Sequence, residues 1–155
     1  MATIDNAAIL RDIYQAFNDK NVQRVGELSL PDARIIRVPS GESLSVFDDF
    51  QGWATAFPDG QVEVTQMVAQ GDCVMAEIIG RGTHLGPLSS PQGPIAPTQR
   101  RVELRLVDVY LFRDGKVTGG RTYFDAMSLM RQLGLLRAPE APARATSESR
   151  PEARH

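Results

Sequence analysis

Apolar residues recur along this chain at two periods, and the change of period divides it. From Thr3 to Asn18, Ile9 or Leu10, Ile13, Tyr14 and Phe17 lie three or four positions apart. That is the repeat of one helix face, and Thr3 is placed to cap it. Asn21 to Leu28 repeats the pattern more briefly, with Asn21 as cap and Val22, Val25 and Leu28 inward, until Pro31 disfavours further helix. Ala33 to Val38 reads as a short strand. A third helix is predicted over Ser43 to Phe57, where Val46, Phe47, Phe50, Trp53, Ala54 and Phe57 hold the helical repeat and Pro58-Asp59-Gly60 closes it.

From Gln61 the period falls to two. Val62, Val64 and Gln66 alternate with Glu63, Thr65 and Met67, Gly71-Asp72 makes a turn, and Cys73 to Thr83 returns as a second strand. Gly86 to Thr98, rich in proline and glycine, is too long for an idle connection and is expected at a pocket mouth. Arg101 to Arg113 and Lys116 to Phe124 flank Asp114-Gly115, a two-residue hairpin signal. Asp125 to Leu133 then reads as a short helix ended by Gly134. Helices followed by an antiparallel sheet predict an α+β domain over residues 1–137. In it a strongly bent sheet wraps the N-terminal helices as a cone-shaped barrel with one open end. Residues 138–155, dominated by Ala, Pro, Ser, Glu and Arg, are expected to be a disordered tail.

Composition acts mainly by exclusion. The 155 residues, 42% of them apolar, suit one globular domain. Seventeen Lys and Arg against 19 Asp and Glu give a net charge of -2, which leaves no basic excess for a nucleic acid partner. No stretch is apolar enough for a membrane span or a secretory signal, so a cytoplasmic location is expected. Cys73 is the sole cysteine, and His84 and His155 are the two histidines, so neither an intrachain disulfide nor a zinc cage is expected.

Candidate chemistry gathers on the last hairpin. With Asp114 and Gly115 as the loop, Asp108 faces Arg121, Leu106 faces Tyr123 and Leu104 faces Asp125, and these side chains share one face with Tyr110. Gly119 and Gly120 change this register if they mark a bulge. Asp108 interrupts the apolar run Leu106 to Tyr110. It is either a cross-strand partner of Arg121 or an acid whose pKa is shifted for proton transfer. Asp125, at the start of the last helix, is an N-cap or a fixed carboxylate base. His84 stands beside the Gly/Pro loop as a rim residue or a donor. Trp53, Phe50 and Phe57 are core or cavity wall. Val107, Val109 and Leu111 make the opposite face of the hairpin apolar as well, and a homodimer is the simplest way to cover it.

Together these residues resemble the SnoaL-like polyketide cyclases, which share the cone-shaped fold of nuclear transport factor two, ketosteroid isomerase and scytalone dehydratase. The resemblance runs over roughly residues 5 to 136. It is carried by Tyr14-Gln-Ala-Phe17-Asn18, Gly52-Trp53 through Phe57-Pro58, Gly82-Thr83-His84-Leu-Gly86, Arg100-Arg101-Val-Glu103, Asp108 through Lys116, and Phe124-Asp125 followed by Met130-Arg-Gln-Leu-Gly134. In the cyclases of anthracycline precursors it implies an aspartate, nine residues before that final glycine, as general acid/base of an intramolecular aldol closure; Asp125 holds that spacing. Those enzymes carry a histidine where this chain has Asp108, so the partner on the oxyanion side differs.

The resemblance implies a cofactor-independent cyclase or isomerase that closes a ring in a small, hydrophobic, polyketide-derived intermediate of antibiotic metabolism. Asp125, Asp108 and His84 are its expected catalytic groups. Tyr14, Trp53, Phe57, Met67, Leu106, Tyr110, Arg121 and Tyr123 are its expected substrate contacts. An enolate oxygen formed by a base at Asp125 would take a hydrogen bond from protonated Asp108, His84 or Tyr14. The competing readings are a cycloaddition enforced by pocket shape and a non-catalytic protein that holds a metabolite for a partner oxidoreductase.

Overall fold

The computed structural model describes residues 4–136; the cap expected at Thr3 and the tail expected over 138–155 lie outside the described residues. Helix α1 (Asn6–Asn18) is capped by Asp5, whose side chain accepts from the Ala8 amide, and its inward stripe buries Leu10, Ile13, Tyr14, Ala16 and Phe17. Helix α2 (Val22–Glu27) starts at the expected cap, Asn21. Strand β1 (Ser29–Val38) is longer than the pattern implied, because it runs through Pro31 by shifting register between Ser29 and Arg34. A proline, which has no amide hydrogen to give a ladder, is tolerated at such an irregularity. A three-residue strand β2 (Ser43–Ser45) precedes helix α3 (Val46–Ala56), which Ser45 caps by accepting from the Asp48 amide.

The second half follows the period-two pattern: β3 (Gln61–Gln70), β4 (Cys73–Thr83), β5 (Arg101–Arg113) and β6 (Lys116–Phe124), then helix α4 (Ala126–Gln132). The six strands form one sheet in the order β2-β1-β6-β5-β4-β3. Four ladders are antiparallel as expected, but β1 and β6 run parallel. β1 arrives from the helical layer and no tight turn joins it to β6, so hairpin geometry does not dictate their relative direction.

Two bulges reset which side chains face inward. Between Val64 and Gln66 the β3–β4 register slips past Thr65, which brings Met67 to the same side as Val62 and Val64. Between Leu111 and Phe112 the β5–β6 register slips past Thr118. Beyond that bulge Asp108 pairs with Thr122, Leu106 with Phe124, Val107 with Tyr123 and Val109 with Arg121. The expected Asp108–Arg121 pair is therefore not formed, because one inserted residue moves every later β6 side chain to the other face.

The main core lies between α1, α2, α3 and the inner face of the sheet, from Leu10 and Ile13 to Val74, Ile78, Tyr110 and Phe112. A second cluster, centred on Ala56, Phe57, Val102, Leu104, Leu129 and Leu133, sits under α4. The Gly/Pro loop packs Leu88 onto this second cluster, with Ile95 joined to it by a β-bridge.

Candidate active site

A cavity opens between the helices and the inner face of the sheet. Tyr14 and Phe17 of α1, Asp49, Phe50 and Trp53 of α3, and Phe57 just after it line one wall. Ile78, Gly80, Leu104, Leu106, Asp108, Tyr110 and Thr122 line the other, and Leu129 of α4 adds to the enclosure. The aromatic wall is tied together by ring contacts: Phe50 packs edge-on to Phe17 and tilted to Tyr14, and Trp53 stacks on Phe57 and meets Phe124 edge-on.

Asp108 is the polar centre of the sheet wall. Its carboxyl is 4% exposed, and the Tyr14 hydroxyl donates to its Oδ2 at 2.6 Å. Burial pushes the pKa of Asp108 up to about 6; hydrogen bonds from Thr122 and Tyr14 pull it down, and the charge of Asp49 adds to the rise. Removal from water disfavours the ionised form unless a counter-charge compensates it, and here only hydroxyls reach the acid. Tyr14 and Tyr110 are both held well above the usual phenol range, by burial first and then by the charge of Asp108, so both stay protonated. The result is an acid able to give or take a proton near neutrality, linked to a phenol that only donates.

A second carboxylate, Asp49, lines the helix wall and went unnoticed in the sequence. It is 4% exposed and accepts from Arg37 Nε at 2.8 Å. Arg37, itself buried, also bonds Glu42 at 3.3 Å and holds its guanidinium 5.0 Å from the centre of the Trp53 ring. The signal was present: Asp49 belongs to the inward stripe with Val46, Phe50 and Trp53, and Arg37 shares the inward face of β1 with Ala33 and Ile35.

Of the residues expected to form the site, Asp108, Tyr14, Trp53, Phe57, Leu106 and Tyr110 come together at the cavity. The others do not. Met67 packs against the main core. Arg121 and Tyr123 lie on the outer face, where the guanidinium donates to the Tyr123 hydroxyl at 3.1 Å, because the Thr118 bulge turns them away. Asp125 is exposed and caps α4 by accepting from the Ser128 amide at 2.9 Å. It lines a more open outer groove with Tyr123, Glu77 and Arg105 instead of the cavity. His84 is fully buried but not at the cavity. Its Nδ1 accepts from the Thr98 amide at 3.1 Å, its ring leans on Phe57, and burial lowers its pKa. It is a fastener of the Gly/Pro loop, which stands away from the cavity that it was expected to rim.

Comparison with known proteins places this geometry. The family model for SnoaL-like polyketide cyclase matches residues 7–133. The chain belongs to that family. Among solved structures, this SnoaL-like chain is similar to AclR of Streptomyces galilaeus, proposed to be a hydroxylase. The two share 27% identity over 85% of this chain and 97% of that one, with a TM-score of 0.70. It is also similar to IdmH of Streptomyces antibioticus, proposed to be a polyketide cyclase, at 26% identity over 84% and 99% of the two chains and a TM-score of 0.68. TsrD of Streptomyces laurentii, at 22% identity over 86% and 100% with a TM-score of 0.71, shares the fold. No curated protein matches the chain in sequence. Among the described residues of this family member, no helix is long and apolar enough to cross a membrane. Nor is any group of three His, Cys, Asp or Glu side chains placed to hold a metal ion.

Proposed function

We propose that this SnoaL-like protein is a cofactor-independent cyclase that closes a ring in a polyketide-derived intermediate of specialised metabolism, with Asp108 as its proton-transfer group. The observation that carries the reading is the buried Tyr14–Asp108 hydrogen bond inside a largely apolar cavity. A carboxyl poised near pH 6 protonates a carbonyl oxygen as an enol forms and takes the proton back as the ring closes, and proton transfer of this kind contributes about 10²–10⁴-fold in rate. The aromatic walls fold a flexible chain into its reactive shape, which lowers the entropy lost on reaching the transition state. The name given to IdmH, a proposed polyketide cyclase, supports ring closure on a related substrate class. We further propose that the working form is a homodimer.

The decisive experiment is turnover of a panel of linear polyketide intermediates by the wild type, Asp108→Asn and Asp125→Asn, with circular dichroism as the fold control. The reading expects at least a 100-fold loss in Asp108→Asn, in line with the size of acid/base effects, and survival of activity in Asp125→Asn. A folded Asp108→Asn variant working at the wild-type rate refutes it and leaves ring closure to the shape of the cavity. Loss of activity in folded Asp125→Asn alone would return the acid/base role to the outer groove.

A further inference from the structure

The cavity contains two carboxylates, and the ring-closing reading uses one. Asp108 stands on the sheet wall without a counter-ion; Asp49 stands on the helix wall with one. Arg37 reaches Asp49 through a single contact, Nε to Oδ1, while its Nη1 serves Glu42. One guanidinium therefore faces two acids, which leaves the cluster one negative charge in excess. Glu42 is partly exposed, so the buried charges are the Arg37–Asp49 pair alone, held by one contact. Asp49 Oδ2 accepts no hydrogen bond among the described residues, yet it is not among the polar atoms sealed from solvent. Asp49 also lies in the first turn of α3, whose unpaired amides favour a negative charge.

We propose that Asp49 is the base of the reaction: its Oδ2 removes a proton from substrate carbon while Asp108 serves the oxygen that becomes negative. The proposal rests on the ring-closing reading and names the substrate class, a carbon acid flanked by two carbonyls, whose acidity is better matched to a carboxylate base than that of an isolated ketone. Asp49 takes the proton, the C–H electron pair becomes the enol double bond, and the carbonyl π pair moves to oxygen, which takes the proton of Asp108. The enol carbon then attacks a second carbonyl carbon of the same molecule. The π pair of that carbonyl moves to its oxygen, which takes the proton from Asp49, and the first oxygen returns its proton to Asp108. Both carboxyls end as they began and no co-reactant is needed. Burial raises the pKa of Asp49 and Arg37 opposes that rise, with Glu42 adding to it. At Asp49 the Arg37 guanidinium works against burial, whereas among the described residues only hydroxyls reach Asp108.

The test separates a base from a mere counter-ion of Arg37. Ethyl 2-methylacetoacetate in D₂O serves as the probe, and deuterium uptake at its C2 is followed by NMR above the buffer rate. The wild type is expected to speed exchange and Asp49→Ala to lose it at least 100-fold. Formate and nitrate, both planar anions, should each refill the space beside Arg37 and restore thermal stability, and formate alone should restore exchange, saturably. Equal rescue by nitrate, or exchange that persists in Asp49→Ala, overturns the assignment. Should Asp49→Ala fail to fold, the double variant Arg37→Leu/Asp49→Leu removes both charges together. It is expected to fold without exchange activity, and exchange in it overturns the proposal. Absence of exchange in the wild type also overturns the base assignment, while the role of Asp108 stands or falls separately on turnover of linear intermediates.

Discussion

Asp108 holds its place at a cost in stability that can be read against pH. Its pKa is about 6 in the folded protein and about 4 in an unfolded chain, so the folded state binds more protons between those values. Stability then falls as pH rises from about 4 to about 6, by about 3 kcal/mol if the full difference is expressed. Asp108→Asn keeps an acceptor for Tyr14 and removes the titration. The melting temperature of the variant minus that of the wild type is expected to climb between pH 4 and 6 and to stay level above; a difference flat across that range would show that Asp108 is not held in a poorly solvated site. His84 works in the opposite sense, since its lowered pKa makes stability rise with pH, but it is common to both proteins and cancels. Asp108 was legible in the sequence because it breaks a run of apolar strand residues. Asp49 was not, because beside Asp48 it looks like an ordinary acidic first turn, and only its spacing from Val46, Phe50 and Trp53 marks it as inward. Arg37 was missed for the same reason, since strand alternation over so short a segment says little about one charged residue.

At the scale of elements, the helices, the hairpins and their caps were readable because each is specified locally: Asn21 caps α2, and Asp114 and Gly115 take the positive φ values, 50° and 77°, that a tight two-residue turn requires. Register was legible only in part: Gly119 and Gly120 marked a place where a bulge would change it, but the extra residue is Thr118 beside them, whose side chain gives no such sign. Gly120, two residues on, shows why β6 can pass so close to β5. A Cβ there would lie 2.3 Å from the Val109 carbonyl oxygen and 3.2 Å from the Tyr110 Cα, both backbone atoms with no freedom to yield. Gly80, in the cavity wall, differs: its Cβ would meet the Leu106 Cδ1 at 3.7 Å and the Leu104 carbonyl oxygen at 3.9 Å, both ordinary contacts. Gly120→Ala is therefore expected to lose about 2 kcal/mol or more and Gly80→Ala to remain close to wild type, as chemical denaturation will show. Similar losses in both would mean that the ladder relaxes around a methyl group and that Gly120 does not fix the register behind Asp108.

At the scale of the whole molecule, the sheet has a second face, and it too is apolar. Ile36 of β1, Met75 of β4, Val107 and Leu111 of β5, and Tyr123 of β6 are each exposed by 36–46%. The pairings Val107–Tyr123, Met75–Val109 and Ile36–Arg121 carry the patch across four adjacent strands. Contiguous apolar surface of this kind marks an interaction site, and a second copy of the chain offers the same surface in return. Val107 precedes Asp108 on the same strand and points the other way, so covering it would brace the cavity wall from behind. Light scattering is expected to give twice the mass of one chain for the wild type and a single-chain mass for Val107→Glu/Leu111→Glu. The circular dichroism of that variant should stay native, since neither side chain belongs to the core. A wild type that runs as one chain at micromolar concentration removes the dimer. A double variant that remains dimeric moves the interface elsewhere and leaves this face for another partner. If the variant is monomeric and also loses affinity for substrate while its fold is intact, the outer face and the cavity are coupled through β5, the strand that carries Asp108.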